Sequence, residues 1–129
     1  MAETYTLKKL TEVDDSAPKF GMGDLQEARF ATKDLEAQQT GVSLVRVKAN
    51  QRQPFGHRHD QAEEVYVVLS GSGRAKLDDA IVELGPFDAL RVSPPVMRAF
   101  EADGDGLEFL AFGRHLKGDG EVVQGWWSD

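Results

Sequence analysis

A chain of 129 residues and 14.2 kDa is the size of one ordinary domain, large enough to bury a core without disulfides or a structural metal. It has no cysteine, which excludes a disulfide framework, thiolate zinc sites and cysteine nucleophiles, and which fits a reducing cytoplasm. The net charge of −7 repels nucleic-acid phosphates and anionic lipid heads, and the fifteen Lys and Arg residues form no basic patch.

No apolar run approaches the ~20 residues of a membrane span, and the opening Met1-Ala2-Glu3-Thr4-Tyr5 starts no signal-peptide core. These features predict a cytoplasmic protein with no nucleic-acid or membrane partner. Along the chain, the first twenty residues are irregular. Residues 32–37 predict one helical turn with Thr32 as N-cap, and nothing longer reads as helix. Strand patterns then recur. Residues 42–47 alternate after Gly41, and residues 64–69 are rich in Val and Tyr and end at Ser70-Gly71-Ser72-Gly73, which reads as a turn. Runs 74–77 and 80–84 flank a tight Asp78-Asp79 hairpin. Gly85-Pro86-Phe87-Asp88 is a further turn before 89–92; runs 97–101 and 107–112 follow, separated by a turn at Asp103-Gly104-Asp105-Gly106. Short strands with closely spaced turns predict an all-β sandwich or barrel. With no linker or repeat, the chain reads as one domain over 1–129, its barrel core at about 40–113 between flanking segments.

The chemistry concentrates in Gly56-His57-Arg58-His59. On a strand, residues i and i+2 share a face, so His57 and His59 aim together. The polar stretch Asp60-Gln61-Ala62-Glu63 then reads as the loop of a hairpin whose returning strand starts at Glu64. That hairpin sets His59 opposite Glu64, His57 opposite Tyr66 and Phe55 opposite Val68. Two imidazoles and a carboxylate on one face make a site for Fe(II), Mn(II), Ni(II) or Zn(II) with positions left open. A bare His-x-His also fits two solvent-facing histidines at a strand end. Glu64, with Gly71 seven residues further on, makes the pattern more specific.

Gly56-His57-x-His59-x-x-x-x-Glu64 followed by Gly71 resembles the first motif of the cupin superfamily, and Gly85-Pro86-Phe87-Asp88 through Pro94-Pro95 to Phe100 resembles the second. The resemblance, to the small single-domain conserved-barrel type, runs from about Pro54 to Phe100. It implies a small jelly-roll β-barrel with an interior ligand pocket, and His57, His59 and Glu64 as ligands of a divalent metal. The family's fourth ligand, a histidine of the second motif, is missing: anchored on Phe100, its place falls to Arg98; counted from Pro94, to Ala99.

An inward Arg98 would pair with Glu64 or hold an anionic ligand at the pocket mouth; an outward one would be solvated. Tyr66 and Phe55 are read as further pocket residues, and His115 as a surface residue. Gly71-Ser72-Gly73 lacks the Lys-Ser/Thr of a phosphate loop, and no Gly-x-Ser-x-Gly elbow exists. The function implied is a small-molecule-binding cupin with a divalent metal, performing oxygenase, isomerase or decarboxylase chemistry. The alternative is a non-catalytic ligand-binding cupin without metal, since this fold carries many functions. Leu7-Lys8-Lys9-Leu10 and Val122-Val123 are too short to form a sheet alone and, with Trp126-Trp127, predict a homodimer in which they cover a neighbour's edge.

Overall fold

The computed structural model describes residues 4–129; Met1, Ala2 and Glu3 of the opening segment lie outside the described residues. The strands are β1 (Gln26–Phe30), β2 (Thr40–Val47), β3 (Phe55–His59), β4 (Glu64–Leu77), β5 (Ala80–Leu84), β6 (Ala89–Val92), β7 (Arg98–Arg114) and β8 (Gly120–Gln124). Two 3₁₀ helices, Leu10–Glu12 and Ala17–Phe20, precede them. No helix among the described residues is long and apolar enough to cross a membrane.

The strands form an all-β jelly-roll barrel from one curled sheet. Its main path runs β1-β2-β7-β3-β8, and β4 pairs with β5, β6 and β7. The sheet therefore extends past residues 40–113 at both ends, through β1 and β8. Alternation along the strands turns one face inward, so Tyr66 and Val68 on β4 and Leu107 and Phe109 on β7 are all buried. Tyr66, Phe100 and Phe109 stack at the centre, with ring centroids 4.5 to 5.7 Å apart. Each buried ring of this size contributes roughly 1.5–3 kcal/mol.

The two glycine-rich segments expected to be turns both lie inside strands. Gly71 pairs with Leu107 and Gly73 with Ala102, so residues 103–106 bulge out opposite Ser72. Gly71 and Gly106 both sit at φ 78°, a left-handed conformation that serves a bulge as readily as a turn. The bulges let β4 and β7 bend and contribute to both layers of the barrel. Residues 32–36 form a turn and not a helix. Thr32 Oγ1 accepts the Val42 N–H at 3.1 Å, which ties this turn to β2 instead of capping a helix.

The β3–β4 hairpin does not form. β3 pairs with β8 along its whole length (His57 opposite Val122, His59 opposite Gly120) and touches β7 at His57–Arg98. β4 pairs with β6 and β7, so Glu64 stands opposite Val92 and Gly113. Val122 and Val123 are thus used within the chain, while Leu7-Lys8-Lys9-Leu10 joins no strand. The two tryptophans also pack on their own barrel. A Cβ at Gly56 would lie 2.7 Å from Trp126 Cγ, and Trp127 Nε1 donates to Gln53 O at 2.6 Å. Lys76 Nζ sits 4.0 Å from the centroid of the Trp126 ring, and Arg52 4.3 Å from that of Trp127.

Candidate metal centre

The extended backbone of β3 points His57 and His59 into the barrel, and Glu64, the first residue of β4, reaches them from the facing layer. One ligand atom from each of the three lies within 4.8 Å of the others. Glu64 Oε1 is 3.1 Å from His59 Nε2 and 3.4 Å from His57 Nε2. The three residues converge across the barrel interior, not across a hairpin.

Tyr66 donates its hydroxyl to the same Glu64 oxygen at 2.5 Å. Behind it, Arg98 has no exposed surface; Nη1 lies 3.4 Å from Glu64 Oε1 and Nη2 donates to Ser93 O at 2.9 Å. Arg98 is thus neither solvated nor at a pocket mouth, and it does not line the cavity. Its cross-strand position opposite His57 sends the guanidinium behind Glu64, where that carboxylate and a carbonyl hold it. Tyr66 and Phe55 do line the cavity, and His115 is exposed.

Sequence reasoning missed Asp119, which precedes β8. Its side chain is 7% exposed, and Oδ2 lies 3.3 Å from His59 Nδ1. The Gln61 and Ala62 N–H groups donate to its two oxygens at 2.8 and 3.1 Å. A carboxylate beside the far nitrogen of a histidine orients the ring and leaves Nε2 free to bind a metal. Only the folded path of β8 brings residue 119 beside residue 59, so no local pattern signals it.

Charge in the site is set by this packing. Burial opposes ionisation of Glu64, but the His57 and His59 imidazoles beside it and the hydrogen bond from Tyr66 outweigh burial and hold the carboxyl well below its usual range. Burial and the adjacent Glu64 charge push Tyr66 well above its ordinary value, so it stays a donor. Glu64 raises the pKa of His59 against the opposing effect of burial. Burial of Asp119 is likewise outweighed, by the Gln61 and Ala62 N–H groups and by His59, and its pKa is lowered.

The donor set fits a divalent ion. Neither ring nitrogen of His59 makes an aligned hydrogen bond: Asp119 stands beside Nδ1 at ion-pair distance, and the buried Nε2 is left to converge on Glu64 and His57. Ligands ~2.1 Å from a common ion stand roughly 3.0–3.4 Å apart in octahedral or tetrahedral geometry, the spacing of these Nε2 and Oε1 atoms. Beside the triad opens a cavity of about 310 Å³ with aromatic walls that include Phe55, Phe100 and Phe109.

A family model described as "Cupin domain" matches residues 43–113, more than half of the chain. The chain belongs to the cupin family. Among solved structures, a cupin protein from Bacteroides fragilis is 24% identical over 90% of this chain and 87% of that one, with a TM-score of 0.70. The polyketide cyclase RemF from Streptomyces resistomycificus is 20% identical over 96% of this cupin and 87% of its own chain, with a TM-score of 0.75. Streptomyces PAC13, solved with uridine, is 16% identical over 94% and 92%, with a TM-score of 0.72. At these identities the likeness establishes the fold alone. No curated protein sequence matches this cupin closely enough to count as a relative.

Proposed function

We propose that this cupin binds a divalent metal through His57, His59 and Glu64 and acts with it on a small molecule held in the barrel. The supporting observation is the buried Nε2 of His59, unpartnered yet converging with a second imidazole and a carboxylate. Iron, manganese, nickel and zinc all suit such a donor set. When bound, the ion would supply Lewis acidity toward a substrate oxygen, which suits isomerase and decarboxylase chemistry, and a redox-active ion such as Fe(II) would supply the electron transfer that oxygenase chemistry needs. The chain's own residues do the rest: Asp119 sets the His59 ring, Tyr66 and Arg98 anchor Glu64, and the aromatic walls exclude water. No Lys or Arg lines the cavity, so an anionic head group would meet the ion and not Arg98.

Elemental analysis of purified protein tests this reading. Wild type should carry about one ion per chain, and a folded His57→Ala, His59→Ala double variant none. Equal metal in both would refute it. The buried Arg98–Glu64 pair favours a second reading, a non-catalytic ligand-binding cupin in which a guanidinium substitutes for the ion. A metal-free wild type that still binds small molecules would select it.

The proposal includes a cytoplasmic homodimer. Phe30 on β1 and Val122 and Val123 on β8 are exposed on the two strands that end the main sheet path, edges that native proteins tend to cover. Light scattering at micromolar concentration should give about twice 14.2 kDa; the monomer mass would overturn the dimer.

A further inference from the structure

Far from the triad, two glutamines close the other end of the cavity. Gln26 and Gln53 are each 6% exposed, and both line it. Their hydrogen bonds fix which way each amide points. The Phe100 N–H can only donate, so the Gln53 atom 3.2 Å away is its oxygen. Gln53 therefore turns its amino group to Gln26, 2.9 Å away, and Gln26 must receive that bond with its own oxygen. This leaves Gln26 Nε2 with two hydrogens and no acceptor among the described residues. The atom is not sealed inside the protein either, since it is not among the buried orphans.

Register places this donor at the end of the barrel opposite the triad. Gln26 pairs with Val47, Val47 with Leu107, and Glu64 with Gly113. Leu107 and Gly113 are six residues apart on β7, roughly 20 Å of extended backbone. The facing wall runs the same way, with Gln53 two residues before Phe55 and then His57 and His59 at alternating positions. Apolar surface from Phe55 and Phe109 fills the interval.

We infer that Gln26 is a specificity-determining residue, whose carboxamide donates to a hydrogen-bond acceptor on the ligand's end remote from His57, His59 and Glu64. The ligand class is then a mainly apolar molecule carrying a hydrogen-bond acceptor at its remote end. The remote group must accept, because Gln26 offers it only N–H groups. This inference rests on the barrel interior being the ligand cavity, and it is independent of whether the triad holds an ion.

Acetophenone and isopropylbenzene, nearly the same shape but differing in one carbonyl, are suitable probes. They are titrated into 15N-labelled wild type treated with EDTA, and the Gln26 side-chain amide signals are followed. Acetophenone should move those signals to saturation, and its affinity relative to isopropylbenzene should be about fivefold higher in wild type than in Gln26→Met, the worth of one neutral hydrogen bond. An affinity ratio that is the same in wild type and Gln26→Met, or acetophenone binding without movement of the Gln26 signals, would overturn the assignment. If neither probe binds, the cavity reading falls and this one with it. Metal content of the untreated protein, read by elemental analysis, separates the two questions. A ratio shifted by Gln26→Met in EDTA beside an untreated protein without metal would support Gln26 while counting against an ion at the triad.

Discussion

Glu64 Oε1 is contacted by His57, His59, Tyr66 and Arg98 together, and the consequences of removing it differ from one neighbour to the next. Arg98 has no route to water, so Glu64→Ala leaves a buried charge with only the Ser93 carbonyl. Stranding a buried charge costs about 3–5 kcal/mol, whereas replacing both partners by apolar groups is often close to neutral. Urea unfolding of metal-free protein should therefore show Glu64→Ala losing about 3 kcal/mol, with most of it recovered in the Glu64→Ala, Arg98→Met double variant. Equal losses in both would mean that Arg98 does not depend on Glu64. His59 adds a pH dependence of known sign. Its pKa is raised in the folded, metal-free protein, so its contribution is complete below the ordinary value of 6.5 and is lost as pH climbs through the folded one. Metal binding requires the neutral imidazole and reverses this preference. The urea midpoint of metal-free protein should fall across that window, and metal-loaded protein should show no such fall. Asp119→Asn removes the charge beside His59 Nδ1, and metal affinity measured by competition should weaken about 10–100-fold.

At the scale of the element, the bulges in β4 and β7 shape the barrel. A Cβ on Gly71 would lie 2.0 Å from the Gly106 carbonyl oxygen, and φ 78° is itself unfavourable for alanine. Gly71→Ala should cost about 3 kcal/mol or more, read as a lowered urea midpoint. A midpoint unchanged from wild type would mean that the two strands can separate at the bulge without loss. These same glycines explain what could be read from the sequence. Alternation identified most strands, and the Asp78-Asp79 turn falls where β4 and β5 join, with Leu77 opposite Ala80. Glycine at positive φ marks bulge and turn alike, so two long strands were read as four short ones. The inward aim of His57 and His59 follows from alternation alone. Their partner strands do not, because β3 pairs with β8, more than sixty residues away by sequence at His57–Val122. Gln53 extends the alternation of Phe55, His57 and His59 by one step and was legible in principle. Asp119 carried no local signal.

In the whole molecule, both tryptophans lie side by side after β8 and outside the cavity walls, while the aromatic rings that line the cavity are phenylalanines and Tyr66. Arg52 and Arg74 flank the Trp127 ring and both reach Asp129, so the last residues are held to the outside of the barrel largely by charge. Tryptophan emission therefore observes chiefly the dock of this final segment, and reaches the barrel only through Trp126 on Gly56 and Trp127 on the Gln53 carbonyl. A ligand titration followed at tryptophan wavelengths should change far less than one read from inside the barrel. In a urea melt, raised salt screens the arginine contacts and should move the emission transition to lower urea than the circular-dichroism transition of the strands. An assay for occupancy would need its reporter inside the barrel; the Tyr66 hydroxyl, already shared with Glu64, is the natural chromophore to watch.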